Sequence, residues 1–356
     1  MNLSSLQAPL FFLVLLLLNA CSSTDSVSKR DNTANRQPVP QQPEQNAKRY
    51  PPLMYSGAFP KPGDLEPAVD FWRKTYAIWH RSEVAYHDDR YMDVVYEVMS
   101  LPGYVGEGLT SEQKQVMEDR RSYWKNRIRN LESKFRFNVA LDAGDRELIK
   151  KMESNGTPIN TILAGASDRV RAQRGTKERF KRGMEISGRY NLQFRKLFRD
   201  AGLPEDLAYL PHVESSFQPA ARSSAGAVGM WQFTKGAAQT FMPGNDKVDR
   251  RLDPFASASG AVRYLSYAYG RLGDWPSALT SYNHGIGGMK KAHNRMGKDF
   301  VRIVQAYDGP AFGFASRNYY AQFLAAREIC NSPAAYFPEG VQYEAAVKSN
   351  GILAAE

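Results

Sequence analysis

Glu214 is the residue in this chain whose placement most suggests chemistry. Leu203, Leu207 and Leu210 stand at i, i+4 and i+7 of a helical stripe, and the next place on that stripe, i+11, is Glu214. A carboxyl group is thereby set on the face that should be buried. Burial disfavours the ionised form and raises the pKa, which is the condition a general acid needs near neutral pH. A structural ion pair or a helix-end cap would also put a glutamate here, so the surrounding sequence has to decide between them. His212, His284 and His293 invite a metal reading, but their spacing matches no zinc signature and no cysteines assist, so neither metal nor cofactor is expected.

The elements that must hold Glu214 are legible around it. Gly202-Leu203-Pro204-Glu205-Asp206 combines a breaker, a proline suited to a first helical turn and acids that complement the helix dipole, so a helix should start there. Pro211 removes a backbone donor and should kink it before Glu214. Farther on, Asp253 reads as a cap with Pro254 in the first turn, followed by a stripe of Phe255, Val262, Leu265, Tyr269 and Leu272. Trp275, Leu279 and Tyr282 form a second stripe, which Gly285 should stop.

Upstream, Val69, Trp72, Tyr76 and Trp79 recur at spacings of three and four, and Tyr91, Val94, Val95 and Val98 continue similarly. Thr110 with Gln113 looks like a capping box that opens a helix through Trp124, Ile128 and Leu131. Strand-like alternation is scarce and no period of 20 to 50 residues recurs. The expected fold is mainly α: a helical accessory region at 61–185, then a compact catalytic domain at 186–335 and a tail at 336–356.

The apolar run Leu10 to Leu18 is far shorter than the roughly 20 residues a membrane-crossing helix requires and reads as a signal-peptide core. Leu18-Asn19-Ala20-Cys21 follows it and resembles a lipobox, which would cleave the leader 1–21 and leave Cys21 to carry lipid; an uncleaved anchor is the alternative. Residues 22–60 begin with a stretch rich in Ser, Asn, Gln, Pro and Lys and read as a disordered tether. Of the two cysteines only Cys330 would then remain, too few for an internal disulfide, and it should be a buried structural thiol. The formal net charge of +10 favours anionic surroundings such as lipid head groups or a carboxylate-bearing wall polymer, and export sets nucleic acid aside.

Three ordered motifs turn the reading of Glu214 toward function. They are Glu214-Ser215-Ser216-Phe217, Gly226-Ala227-Val228-Gly229-Met230-Trp231-Gln232-Phe233 and Ser281-Tyr282-Asn283-His284-Gly285. Together with Arg189-Tyr190, Arg250-Arg251-Leu252-Asp253-Pro254 and Ser316-Arg317-Asn318-Tyr319, this set resembles family 1 lytic transglycosylases, nearest to the membrane-bound D type, over about residues 174 to 330. Met230-Trp231 and Ser281 depart from the commonest residues of the family, while Gln232 and Asn283 keep the polar ends of their motifs. The LysM repeats common in the D type are not found.

The resemblance implies a lysozyme-like helical domain that cleaves peptidoglycan between N-acetylmuramic acid and N-acetylglucosamine and leaves a 1,6-anhydro end. It implies Glu214 as catalytic acid and base, with Gln232 and Asn283 on acetamido and hydroxyl groups and Tyr319 hydrogen-bonded near Glu214. Ser223 is expected against Glu214 or the acetamido group, Ser215 on backbone at the helix end, and Tyr282 along the groove; a structural role is an equal reading for each. Glycoside hydrolysis ordinarily needs two carboxylates. Glu205 and Asp206 lie at the far end of the same helix, Asp253 and Asp274 look like caps or turns, and Asp246 and Asp249 sit in a polar loop. One carboxyl suffices where an internal hydroxyl replaces water. A lysozyme-like hydrolase and a non-catalytic wall-binding lipoprotein are the alternatives. The partners expected are glycan strands and, through the lipid, a membrane, with the protein a monomer facing the periplasm from the outer membrane.

Overall fold

The computed structural model describes residues 57–154, 156–242, 244 and 249–347. The leader 1–21 with Cys21, residues 22–56 of the tether, Asp246 and residues 348–356 of the tail lie outside them.

The chain opens with α1 (Glu66–Arg73), which runs into a π-helical turn at Lys74–Ile78. Strands β1 (Glu83–Asp88) and β2 (Val95–Ser100) follow, then α2 (Ser111–Arg136), α3 (Ala143–Lys151) and α4 (Ile159–Leu163). Strand β3 (Val170–Arg174) leads into α5 (Lys177–Ser187) and α6 (Asn191–Asp200). A 3-10 turn at Glu205–Tyr209 continues directly into α7 (Leu210–Glu214). The remaining helices are α8 (Lys235–Phe241), α9 (Pro254–Leu272), α10 (Trp275–His284), α11 (Ile286–Met296), α12 (Phe300–Ala306), α13 (Phe314–Asn331) and α14 (Pro333–Tyr336).

The fold is mainly α as expected, but the accessory region is corrected in one respect: it is not built from helices alone. Its three strands form an antiparallel sheet in the order β2-β1-β3. Tyr91, Val94, Val95 and Val98 therefore do not continue a helix. Short apolar runs fit both periods, and here the β-branched valines follow the Asp89-Arg90 turn and pair with β1 instead.

Local signals elsewhere behave as their chemistry dictates. Thr110 accepts from the Gln113 N–H while the Gln113 side chain accepts from the Thr110 N–H, completing the capping box of α2. Asp253 accepts from the N–H groups of Phe255 and Ala256 at the start of α9, and Asp274 caps α10 through Ser277. Gly285, with φ +80°, ends α10. Along α9 the innermost residues are Ala258, Ala261, Leu265, Ala268 and Leu272, whereas Tyr269 is exposed and stacks on Trp275 at 4.4 Å. Small side chains there let α9 approach its neighbours closely.

The apolar interior has two parts. The larger gathers Val69, Phe71 and Trp72 of α1 with side chains from α5 through α13, and the smaller packs one face of the sheet against Trp124, Ile128 and Leu131 of α2. β1 serves both, because alternate side chains face opposite ways: Ala85 enters the larger and Val84 and Tyr86 the smaller. α1 is fastened to α13 by Trp72 Nε1 donating to Asn318 Oδ1 at 3.1 Å and by Arg73 on Glu328 at 3.0 Å. Cys330 is half-buried against the larger core, and burial pushes its thiol up. Among the described residues no helix is long and apolar enough to cross a membrane.

Candidate active site

Leu203, Leu207 and Leu210 are all buried as their spacing requires, but the segment is not one α-helix and Glu214 at its end is half-buried. The segment passes from 3-10 geometry at Glu205–Tyr209 to a short α-helix that begins at Leu210, and Pro211 stands in the first turn of that helix, where its missing N–H costs no hydrogen bond, so it does not kink the chain as the sequence suggested. Glu214 is the last residue of α7. The chain then turns sharply, since the N–H groups of Ser215 and Phe217 both return to the Pro211 carbonyl at 3.0 Å. This closure needs left-handed backbone at Ser216 (φ +52°) and Phe217 (φ +56°), a conformation that costs a non-glycine residue of order 1 kcal/mol or more. Packing repays it: Phe217 is fully buried against His212 and Phe194.

The second motif folds as a loop braced on Arg251. Its guanidinium grips Asp249 with two nitrogens and donates to the carbonyls of Gly226 and Phe233 at 2.9 and 3.1 Å. Ser215 Oγ donates to the Met230 carbonyl at 2.9 Å, which ties this loop to the turn after Glu214. Gly229 holds φ +80°, and a Cβ there would come within 2.1 Å of the Arg251 carbonyl oxygen. Gly226 is also left-handed but has open space around it. Gly229→Ala is therefore expected to cost more than about 3 kcal/mol and Gly226→Ala only about 1 to 2. Denaturant unfolding of the two variants checks this, and equal losses would mean that the loop yields around position 229.

Around the Glu214 carboxyl stand phenols. Tyr319 of α13 donates its hydroxyl to Glu214 Oε1. Tyr76, Tyr264 and Tyr282 are also within electrostatic reach, and each phenol is pushed up first by burial and further by the Glu214 charge. Glu214 is half-buried, its hydroxyl partner Tyr319 on one side. Burial pushes its pKa up to about 7, against a smaller lowering by the Tyr319 hydrogen bond, and no second carboxylate acts on it among the described residues. A group of this kind can give a proton and take one back at neutral pH.

The other expected site residues find mixed placements. Gln232, buried and at φ +48°, donates Nε2 to the Gly229 carbonyl at 2.7 Å and leaves its buried Oε1 without a partner among the described residues. Asn283 accepts from Ser316 Oγ at 2.7 Å, which joins the third motif to the segment that supplies Tyr319. Tyr282 donates to the Trp231 carbonyl at 2.9 Å and packs edge-on against Tyr264 and Phe233. Ser223 is held in the loop's own turn, its Oγ accepting from the Ala227 N–H at 3.0 Å; the hydrogen bond to Glu214 comes from Tyr319 and not from Ser223. His212 is fully buried between Phe180 and Phe217, and burial alone lowers it to about 3, so it stays a neutral packing residue.

Tyr76 and Tyr264 near Glu214 were not anticipated from sequence. Tyr76 sits on an apolar stripe and reads there as core; its hydroxyl is the only signal that it could do more.

Residues 194–301 match the family model described as Transglycosylase SLT domain. The chain is 34% identical to Membrane-bound lytic murein transglycosylase D of Escherichia coli (strain K12) over 92 residues, 25% of this chain and 20% of that protein. It is 30% identical to Peptidoglycan transglycosylase gp16 of Escherichia phage T7 over 152 residues, 41% of this chain and 11% of that protein. A solved structure of lytic transglycosylase Slt from Pseudomonas aeruginosa aligns over 45% of this chain and 25% of that chain, with 18% identity and a TM-score of 0.33. The chain thus spans a fifth or less of the length of these two relatives. The matched segment holds Glu214, Ser223, Gln232, Tyr282 and Asn283, while Tyr319 and Tyr76 lie on either side of it.

Proposed function

We propose that this chain is a peptidoglycan lytic transglycosylase in which Glu214 alone supplies both acid and base. The observation that carries the reading is the half-buried Glu214 carboxyl at the end of its helix, held by the Tyr319 hydroxyl, with no second carboxylate acting on it among the described residues; burial pushes it up to about 7, in keeping with the role. The SLT domain match and the relatives' names support the substrate class.

Protonated Glu214 gives its proton to the glycosidic oxygen as the bond from C1 of N-acetylmuramic acid to that oxygen breaks. The sugar gains oxocarbenium character, and the oxygen of its own C6 hydroxyl attacks C1 while the Glu214 carboxylate takes the hydroxyl proton. The products are a 1,6-anhydro end and a free N-acetylglucosamine end, and Glu214 is again protonated. Tyr319 steadies the carboxylate in the interval, when its hydroxyl bond is strongest. Gln232 offers its open Oε1, and Asn283, held by Ser316, faces the same substrate groups; Ser223 and Tyr282 border the groove.

Around this domain the reading places a lipid on Cys21 and a tether after it, so that a monomer works on glycan strands from the outer membrane, facing the periplasm. No metal or cofactor takes part.

The test is product mass. Residues 22–356 incubated with purified peptidoglycan should release disaccharide peptides lighter by one water than hydrolysis products. Hydrated products would establish a lysozyme-like hydrolase instead, and a protein that binds the wall without releasing fragments would be a non-catalytic lipoprotein.

A further inference from the structure

One flank of the Glu214 site comes from outside the matched domain. α1 ends in the π-helical turn Lys74–Ile78, closed by the Trp79 N–H on the Lys74 carbonyl at 2.7 Å. π turns are rare and are frequently found at functional sites. The residue at the middle of this one is Tyr76, only 7% exposed.

Tyr76 is held by two elements that each carry a neighbour of Glu214. Its hydroxyl lies 3.5 Å from Gln322 Oε1 on α13, three residues beyond Tyr319, whose own hydroxyl bonds Glu214. Its ring stacks on Phe180 of α5 at 4.8 Å, and Phe180 stacks in turn on His212 of α7 at 5.0 Å, two residues before Glu214. The negative charge of Glu214 reaches the Tyr76 phenol and adds to the upward push of burial, which agrees with a near placement. The fastening of α1 to α13 fixes the π turn to the same helix that supplies Tyr319.

We infer that Tyr76 is a positioning residue of the Glu214 site, its ring forming a wall that keeps water from the carboxyl. This rests on the proposed acid/base role of Glu214. Among the described residues the other titratable or charged groups near Glu214 are Tyr264, Tyr282 and Tyr319, His212 on the same helix, and Arg179 of α5, which donates to the Ser215 carbonyl. Asp206, on the 3-10 turn, is taken up by Arg195 and Arg327. Each of the three tyrosines is neutral at pH 7, so a change at position 76 acts on Glu214 through its solvation.

The experiment compares Tyr76→Phe and Tyr76→Ala in residues 22–356, following the Glu214 carboxyl by infrared difference spectroscopy with Glu214→Gln to assign the band, and following kcat and KM against pH. Tyr76→Phe keeps the wall and should leave the titration near 7. Tyr76→Ala should move it toward acid by about one pH unit or more, and lower kcat about tenfold above neutral pH with little change in KM. Should Tyr76→Ala not fold, Tyr76→Val opens most of the same space and is read in the same way. A folded Ala or Val variant whose carboxyl titrates as in the unaltered protein would overturn the inference while leaving the reading of Glu214 intact. An unaltered protein whose Glu214 titrates at the ordinary carboxylate pH would overturn both.

Discussion

Glu214→Gln is expected to lower the release of glycan fragments by about a thousandfold or more, with little change in the affinity for the strand. One group is asked to do two proton transfers, and a positioned acid or base usually contributes about 10²- to 10⁴-fold for one of them. The amide keeps the size of the carboxyl and can still meet Tyr319, so the loss reports chemistry and not collapse of the site. The unaltered protein should also lose activity as pH rises through about 7, because on the proposed mechanism the protonated form of Glu214 starts the reaction. Turnover by both proteins measured across pH checks this. A Gln variant that retains a tenth of the activity would remove Glu214 from the mechanism.

The same substitution is expected to stabilise the fold at alkaline pH. Glu214 in the folded protein holds its proton to about pH 7, whereas an unperturbed glutamate releases it near 4.5. Below that lower value both states are protonated and the group is neutral for stability. Between the two values the unfolded chain releases a proton that the folded chain keeps, so stability falls as pH rises, and above about 7 the whole cost is present. It amounts to at most about 3 kcal/mol, less to the extent that the open side of the carboxyl is solvated. Glu214→Gln should therefore gain up to that amount at pH 8 and nothing at pH 4, as read by denaturant unfolding at both. Equal stability of the two proteins at pH 8 would mean that the carboxyl is solvated and ordinary. A site residue that weakens the fold at the pH where it works is the expected signature of a group kept for chemistry.

Several parts of this protein could be read from the sequence. The capping box of Thr110 and Gln113, the cap at Asp253 and the stop at Gly285 are contacts between residues a few positions apart, and local chemistry suffices to specify them. The stripe of Leu203, Leu207 and Leu210 pointed to Glu214 because helical period converts spacing into direction. The strands at 83–88 and 95–100 were not legible, since stretches this short, with apolar runs of only two or three residues, fit either period until a partner strand chooses.

The residue types and their order thus determined, by themselves, a mainly helical chain and a carboxyl on a face meant for burial. Apart from Tyr319, which the motif resemblance already set near Glu214, tertiary structure decided what surrounds that carboxyl. Tyr319 reaches it across 105 residues, and Tyr76 comes from a π turn in a segment that reads as plain core. It also decided that Ser223 serves its own turn and that Gln232 is pinned by the Gly229 carbonyl with its oxygen left open. The reason is physical: desolvation depends on every wall of the site at once, and those walls are brought together by packing between segments that share no local signal.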